Sequence, residues 1–479
     1  MGKKLNEKVK IEVIGNNSED VTGSCIRFTF LGKTYLCEVG AVQGYSLDKC
    51  FSLNAQLVNA IKADNLEAIF MCHLHQDHIG LVPAITKKKD FHGKVISTYE
   101  TKELSKLMLL DASYIMRKDA ETLSKSHKGK IKPLYNEDDV YNCYNSTYAY
   151  NVGEMHQLNE NVSFRFLKNS HCLGAVQLEL YFKTPSNKVK KVLVTSDLGG
   201  DHLAHKPFVT ELEHCTTANI VFMESTYGCK DRSFTKQDII DGKKEIKETI
   251  VNTIKRGGRV LLPCFSFART QEILKDLYDM FGDNDLIGKT PVIIDSKLSV
   301  EVTQTYKDIL EGENLELINK ITEWENVRMN KDINGTLMNL ANNEPIIVLS
   351  SQGFLQAGRS QLYAKHFMGN PKNSIIFVGY CSPGSIGGNI MDDTIKYVKI
   401  GDRTYVKQCE VKSFGIYSSH MQNKELVNYA KSINCDKIVL VHGSQKAKEE
   451  LKEDIINELN RIGKTTNIQI CKKGLTIEL

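Results

Sequence analysis

Long apolar runs are missing from this chain of 479 residues. No apolar stretch approaches the roughly 18 residues that a membrane-spanning helix needs, so such a helix is not expected. The opening residues 1–7 are polar and lack the apolar core of a signal peptide. We therefore expect a cytoplasmic protein without a membrane partner.

Proline and paired cysteines are also scarce. The chain has only 9 prolines, with no internal repeats or low-complexity linkers, which predicts a compact molecule. Its 13 cysteines are scattered without a C-x-x-C pair, so free thiols in a reducing compartment are expected instead of a disulfide framework. The net charge of +4 permits a polyanionic substrate without requiring one, and no KH or RRM signature occurs.

The pattern of strands and helices changes twice along the chain. A chain of this length favours two domains. From residue 219 onward, short apolar runs alternate with helical stretches, which predicts a parallel sheet buried on both faces. These runs are 220–223, 260–262, 292–294, 346–349 and 375–378. From about residue 411 the earlier pattern returns, so the middle part is interpreted as an insertion in an α/β fold.

Residues 73–78 read His-Leu-His-Gln-Asp-His and follow an apolar run that predicts a buried strand. In extended backbone His73 and His75 point the same way and can hold one metal ion. Asp77 and His78 come after the turn and can face a second ion. Imidazole and carboxylate ligands suit Zn²⁺, and a catalytic zinc needs about three protein ligands.

Three more candidate ligands stand where predicted strands end or turn. His171 precedes an apolar strand, Asp197 follows the run 192–196, and His442 follows the run 437–441. In α/β folds such positions usually hold ligands. Together with residues 73–78, they supply enough ligands for two metal ions.

The whole set resembles the β-CASP branch of the metallo-β-lactamase superfamily. This branch includes ribonuclease J and the nuclease of the cleavage and polyadenylation machinery. Residues 223–228 resemble its motif A, 413–420 its motif B in part, and 439–443 its motif C. The resemblance implies a metallo-β-lactamase αββα sandwich interrupted by a parallel-sheet β-CASP domain. We expect the sandwich to comprise 1–227 and 406–479, and the insertion to comprise 228–405.

The resemblance also implies two zinc ions, with Mn²⁺ or Mg²⁺ as substitutes, held by seven residues. These are His73, His75, Asp77, His78, His171, Asp197 and His442. His73, His75 and His171 would hold the first ion. Asp197 would bridge to the second ion, which the remaining three would hold. The early strand that usually ends in a bracing aspartate here ends in Glu38, which can make the same hydrogen bonds.

Catalysis would use a hydroxide as nucleophile, because bound zinc lowers the pKa of water to about 7. Asp77 counts as catalytic as well as a ligand. His420 would protonate the leaving oxygen, and Glu224 would orient His420.

Contacts with substrate phosphates are expected at three further residues. Ser385 and Gly387 stand in a glycine-rich loop whose N–H groups suit an anion, and Ser419 precedes His420. Residues 125–132 combine Lys, His and Gly without an acidic residue and are the basic segment best suited to phosphates.

His442 favours RNA as the substrate. RNA-acting members of the branch resemble this chain in having histidine there, whereas DNA-acting members usually carry valine. We therefore expect a zinc-dependent ribonuclease that cleaves single-stranded RNA, internally or from the 5′ end, in RNA processing or decay. The alternatives are a DNA nuclease of the same branch, a small-molecule metallo-hydrolase and an inactive scaffold protein. Relatives often dimerise, so a homodimer and RNA-processing protein partners are also expected.

Overall fold

The computed structural model describes residues 7–127, 129–200, 207–229, 234–379, 381 and 384–479. Contacts along the chain divide it into two units. The first unit comprises Met1–Asp201, Val209–Ser233 and Ser419–Leu479, and the second comprises His202–Phe208 and Phe234–Ser418. The domain boundaries expected from sequence patterns stay predictions.

The elements are numbered in chain order over the described residues. The strands are β1 (Lys10–Val13), β2 (Ile26–Phe30), β3 (Lys33–Cys37), β4 (Leu66–Phe70), β5 (Lys94–Ser97), β6 (Thr147–Ala149), β7 (Met155–Asn159), β8 (Val162–Lys168), β9 (Val176–Lys183), β10 (Val189–Val194), β11 (Thr217–Glu224), β12 (Val260–Pro263), β13 (Val292–Asp295), β14 (Val327–Asn330), β15 (Ile347–Ser350), β16 (Ser374–Phe377), β17 (Tyr397–Ile400), β18 (Arg403–Val406), β19 (Glu410–Ser413), β20 (Asn434–Val441), β21 (Asn467–Ile470) and β22 (Thr476–Glu478).

The helices are α1 (Leu47–Ala60), α2 (Gln76–Ile79), α3 (Val82–Thr86), α4 (Tyr99–Ser126), α5 (Glu137–Asn145), α6 (Lys236–Lys255), α7 (Arg269–Phe281), α8 (Lys297–Ile309), α9 (Gly312–Thr322), α10 (Ile333–Ala341), α11 (Gly358–Phe367), α12 (Ile386–Met391), α13 (Asn423–Ser432) and α14 (Gln445–Arg461). Within the described ranges, every helix is too short or too polar to cross a membrane.

The first unit contains two seven-stranded mixed sheets that share one core. The first sheet has the order β22-β1-β2-β3-β4-β5-β6, and the second has the order β21-β20-β11-β10-β9-β8-β7. Side chains from both sheets form a single buried cluster, in which Phe28, Phe182 and Phe222 meet. The two sheets therefore pack face to face, as alternating apolar residues on strands require.

Helices cover the outer faces of both sheets. Helices α13 and α14 pack on the second sheet, where Leu426 and Leu451 join a second buried cluster with Leu193. Helices α1 to α5 form the layer beside the first sheet, with α4 in contact with β6. The first unit is thus the αββα sandwich that the sequence predicts.

The parallel strands of the sandwich end at positions that carry the predicted metal ligands. Strands β3 and β4 run parallel in the first sheet, and β10, β11 and β20 run parallel in the second. Glu38 follows β3, and Asp197 and His442 follow β10 and β20 closely. Strand ends that meet at one edge bring residues distant in sequence into one site.

The second unit contains a six-stranded sheet with the order β14-β13-β15-β12-β16-β19. All of its neighbouring strands pair in parallel. Strands β12, β13, β15 and β16 are buried along their whole length, as expected for a parallel sheet with both faces covered. The sequence prediction of a parallel sheet in the middle of the chain is confirmed.

Candidate metal centre

The histidine-rich loop begins where β4 ends. His73 and His78 are buried completely or nearly so. His75 has extended backbone and directly precedes α2, so Asp77 and His78 lie in the first turn of that short helix. This change from extended to helical backbone sends the side chains in two directions. The loop therefore contributes to two groups of donor atoms.

The first group joins the loop to His171 and Asp197. The His75 Nδ1 atom lies 3.2 Å from His171 Nε2. The Asp197 Oδ2 atom lies 3.5 Å from His73 Nε2 and 3.8 Å from His171 Nε2. These four residues can offer one ligand atom each to a common ion.

The second group joins the loop to His442. The Asp77 Oδ2 atom lies 3.5 Å from His78 Nε2 and 3.4 Å from His442 Nε2. The His78 Nε2 atom also lies 3.2 Å from Asp197 Oδ2, the same oxygen that faces the first group. The two groups therefore meet at one carboxylate oxygen.

These distances fit zinc. Two nitrogen or oxygen donors that bind one zinc ion at about 2.0–2.1 Å in tetrahedral geometry lie about 3.3–3.4 Å apart. Among the described residues, the buried atoms His73 Nε2, His78 Nε2 and Asp197 Oδ1 have no hydrogen-bond partner. Buried polar atoms normally have partners, and a metal ion bound among these three atoms would provide one.

Burial sets the protonation of the first group. It lowers the pKa of His73, His75 and His171, that of His75 to about 3. These rings are therefore neutral and keep a lone pair for a metal. Burial alone would raise the pKa of the Asp77 carboxyl, but the imidazoles of His78 and His442 hold it below its ordinary range.

Glu38 braces two of the candidate ligands from behind. Its Oε2 atom lies 2.7 Å from His78 Nδ1. Its Oε1 atom accepts the hydroxyl hydrogen bond of Ser196, and the Ser196 Oγ atom lies 3.0 Å from His73 Nδ1. Because the serine proton points at Glu38, Oγ accepts from the Nδ1–H of His73. Both rings are thereby held with Nε2 turned towards Asp197.

Replacement of Ser196 by alanine is expected to weaken zinc binding about 10- to 100-fold. The variant removes the acceptor that holds the His73 ring and leaves one Glu38 oxygen without its hydroxyl donor. Competition with a coloured chelator measures this affinity. The control is Ser432→Ala, because Ser432 Oγ donates to the Tyr429 carbonyl oxygen, outside both donor groups. Equal affinities for wild type and Ser196→Ala would refute the bracing role.

Three residues of the site have left-handed backbone without being glycine. They are Glu38 (φ 64°), Ser196 (φ 51°) and His442 (φ 52°), each just past the end of a strand. This conformation is costly for residues with a Cβ atom and is kept where the surroundings enforce it. It turns the side chains at the strand ends into the site.

Close backbone contacts hold the ligand loops together. A Cβ atom on Gly40 would lie 1.6 Å from the Asp77 carbonyl oxygen, and one on Gly199 would lie 2.1 Å from the Ser170 carbonyl carbon. Only glycine permits these approaches. Gly40 thus keeps the loop after β3 against the histidine-rich loop.

Asn169 is a further residue of the candidate site, which no sequence motif marks. Its Nδ2 atom donates to the Asp197 carbonyl oxygen at 2.6 Å, and its Oδ1 atom accepts from the N–H groups of His171 and Gly199. The side chain therefore ties the His171 loop to the Asp197 loop. Its only sequence signal is its place two residues before His171.

His420 and Glu224 lie beside the first donor group. The Nδ1 atom of His420 lies 3.1 Å from Glu224 Oε1, and its Nε2 atom lies 4.0 Å from Asp197 Oδ2. Glu224 also accepts from the N–H of Leu198 at 2.7 Å. Burial alone lowers the pKa of His420, but the carboxylates of Glu224 and Asp197 outweigh burial and raise it to about 10. The ring therefore carries a proton at neutral pH.

The candidate phosphate-binding residues lie in different units. Ser419 precedes His420 in the first unit, whereas Ser385 and Gly387 belong to the second. The Ser385 hydroxyl accepts from the N–H of Gly388 at the start of α12. The Gly387 N–H donates to the Phe354 carbonyl oxygen at 3.0 Å. Phosphate contact at these residues stays a prediction, and the N–H of Gly387 already has a partner.

Two family models match the second half of the chain. The Beta-Casp domain matches residues 270–390. The Zn-dependent metallo-hydrolase RNA specificity domain matches residues 404–468, a range that includes His420 and His442. The predicted kinship and fold class are thereby confirmed.

Curated relatives match along most of the chain. Integrator complex subunit 11 of Gallus gallus is 25% identical over 95% of this chain and 72% of its own length. Transcription termination factor FttA of Pyrococcus horikoshii is 28% identical over 79% of this chain and 57% of its own length. Endoribonuclease YSH1 of Saccharomyces cerevisiae is 24% identical over 94% of this chain and 56% of its own length. The chain thus spans little more than half of the latter two relatives.

A solved structure shares the fold. It is a protein of unknown function from Enterococcus faecalis, with a TM-score of 0.56 and 12% identity over 98% of this chain and all of the other. At this identity the likeness concerns the fold alone.

Proposed function

Because this chain belongs to the β-CASP branch of the metallo-β-lactamase superfamily, we propose that it is a zinc-dependent ribonuclease of single-stranded RNA. The observation that carries the proposal is the shared oxygen Asp197 Oδ2. This atom lies within 3.2–3.8 Å of donors in both groups, as a bridge between two metal ions requires.

The two proposed zinc ions divide the ligands as the donor groups do. His73, His75 and His171 would hold the first ion, and Asp197 would be shared. Asp77, His78 and His442 would hold the second. A set of five imidazoles and two carboxylates favours zinc over magnesium, which prefers oxygen ligands.

When bound, the zinc ions would supply a nucleophile at neutral pH and stabilise charge on the phosphoryl oxygens. The protein itself positions the ligand side chains and supplies a proton. Glu38 and Ser196 hold the rings of His73 and His78 in place. Glu224 holds Nδ1 of His420, so a proton on Nε2 is directed towards the reacting phosphate and can pass to the leaving oxygen.

RNA is the proposed substrate in preference to DNA. The RNA specificity domain match and the histidine at position 442 support this choice. Thr226 Oγ1 lies 3.1 Å from His442 Nδ1, which leaves Nε2 directed at Asp77. His442 therefore has the orientation of a metal ligand.

The relatives' names support two further proposals. One relative is a subunit of the Integrator complex and another is an endoribonuclease, so RNA-processing protein partners and internal cleavage are proposed here. A homodimer is also proposed, on the family resemblance alone. The cytoplasm is the proposed location, because cysteines scattered without a C-x-x-C pair suit a reducing compartment.

The test is cleavage of labelled single-stranded RNA beside DNA of the same sequence. Zinc-loaded protein is expected to cut the RNA much faster than the DNA, and protein stripped by a chelator is expected to cut neither until zinc returns. The product ladder distinguishes internal cuts from removal of nucleotides at the 5′ end. Equal rates on DNA would identify a DNA nuclease. A folded, zinc-loaded protein that cuts neither would contradict the proposal.

A further inference from the structure

Helix α4 supports both loops that carry the candidate ligands. At its start, Thr98 Oγ1 and Thr101 Oγ1 donate to the Gly174 carbonyl oxygen at 2.8 and 2.9 Å, three residues after His171. Further along, Gln76 of the histidine-rich loop donates through Nε2 to the Met108 carbonyl oxygen at 2.9 Å. One side of this helix is therefore fixed against the site.

The other side of α4 carries aromatic and basic side chains. We name Tyr99, Lys102, Lys106, Tyr114 and Arg117 the α4 stripe. Their spacings of three, four, eight and three residues place them on one side of an α-helix. At about 1.5 Å per residue, the α4 stripe runs about 27 Å away from the His171 loop.

The two tyrosines of the α4 stripe are unusually open to solvent. Tyr99 is 52% exposed and Tyr114 is 49% exposed. The Arg117 guanidinium lies 5.3 Å from the centre of the Tyr114 ring. An exposed aromatic face beside a cation is what single-strand-binding proteins offer to a base and its phosphate.

Helix α5 widens this surface. Lys106 Nζ lies 5.4 Å from the ring centre of Tyr141, which is also exposed, and 5.1 Å from that of Tyr144. The acidic Glu103, on the same side of α4, accepts the hydroxyl hydrogen bond of Tyr144 at 2.9 Å. Because the Glu103 carboxylate already accepts from Tyr144, Lys102 and Lys106 are available to contact phosphates.

We propose that the α4 stripe binds the part of a single-stranded RNA that extends beyond the scissile phosphate. This inference rests on the proposed ribonuclease function. Tyr99 and Tyr114 stack on bases, and Lys102, Lys106 and Arg117 contact phosphates. Stacking on tyrosine accepts any base, so the contact selects single strands over duplexes without reading sequence.

The test compares short and long RNAs. Single-strand-binding modules cover about 4 to 16 nucleotides. An RNA of about 4 nucleotides would reach only the metal site, whereas one of about 16 nucleotides would also contact the α4 stripe. The variants Tyr99→Ala/Tyr114→Ala and Lys102→Glu/Lys106→Glu are expected to raise KM for the long RNA at least about tenfold and to leave kcat unchanged. For the short RNA, both constants are expected to match wild type.

Two controls separate stacking and charge from general damage. Tyr99→Phe/Tyr114→Phe keeps both rings and is expected to restore long-RNA binding. Lys472→Glu/Lys473→Glu reverses the same charge just before β22, at the opposite edge of the first sheet from β6, and is expected to behave as wild type. Equal losses on both RNA lengths, or wild-type KM in both stripe variants, would overturn the proposal.

Direct binding keeps this test separate from that of the function. Anisotropy of the long RNA with metal-free protein needs no cleavage. If zinc-loaded wild type cuts no RNA, weaker binding by the stripe variants alone would still support the α4 stripe. Identical binding by all variants would overturn it and would leave a protein partner as the occupant of this surface.

Discussion

RNA cleavage by the Asp77→Ala/His78→Ala variant is expected to fall at least about 10³-fold. The two substitutions remove two of the three unshared ligands proposed for the second zinc ion, and leave only His442 and the shared Asp197. A metal ion contributes several kcal/mol to charge stabilisation in phosphoryl transfer, and each 1.36 kcal/mol corresponds to about tenfold in rate. Because His73, His75 and His171 are untouched, the first ion should stay. Single-turnover cleavage and zinc content by atomic emission measure both effects.

The matched control is Asp90→Ala/His92→Ala. It removes the same residue types from an exposed loop of the same unit and should keep wild-type cleavage and zinc content. Unchanged zinc in the Asp77→Ala/His78→Ala variant would show that the ligands are assigned wrongly. Full cleavage with half of the zinc would show that the second ion is dispensable.

His420→Ala is expected to lower kcat about 10²- to 10⁴-fold, the usual contribution of a positioned proton donor. Zinc content should stay at the wild-type level, since His420 is not among the proposed ligands. The ring stands 4.0 Å from Asp197 and is held by Glu224, so its loss removes a proton and not a metal ion. Single-turnover cleavage rates and zinc content, measured on the same preparation, test whether the rate falls while the bound zinc stays.

Replacement of the leaving oxygen by sulfur sharpens the test of His420. A thiolate leaves without a proton, so the His420→Ala variant should cleave the sulfur substrate at nearly the wild-type rate. His214→Ala serves as the control, because His214 is exposed and lies against Ser432 and Tyr429, away from the donor groups. An equal defect on the oxygen and sulfur substrates would contradict proton donation.

Several candidate ligands that the sequence singles out lie together in the structure because they stand at strand ends. An apolar run followed by a polar residue marks a strand end, and parallel strands finish at one edge. His73, Asp197 and His442 therefore follow from local patterns, although hundreds of residues separate them. The buried strands of the second unit follow for the same reason, because both faces of a parallel sheet are covered.

Residues that act through side-chain contacts escape such patterns. The Ser196 hydroxyl links Glu38 to His73, and Asn169 joins two loops with its amide. Neither arrangement has a spacing that marks it. The pairing of β22 with β1 also has no local sequence signal, because the two strands come from opposite ends of the chain. Helix α4 begins at Tyr99 because the Thr98 side chain caps it by accepting from the N–H of Thr101.

The donor groups also link folding to zinc supply. Asp77 and His442 stand 365 residues apart in sequence, and an unfolded chain cannot keep them within one ion's reach. Zinc bound at this site would select the native state and stabilise it by mass action, by about 4 kcal/mol at a free concentration of about a thousand times Kd. An ion held by Asp77, His78 and His442 would link the early and late segments of the sandwich, so the folded fraction of the protein in the cell would depend on zinc availability.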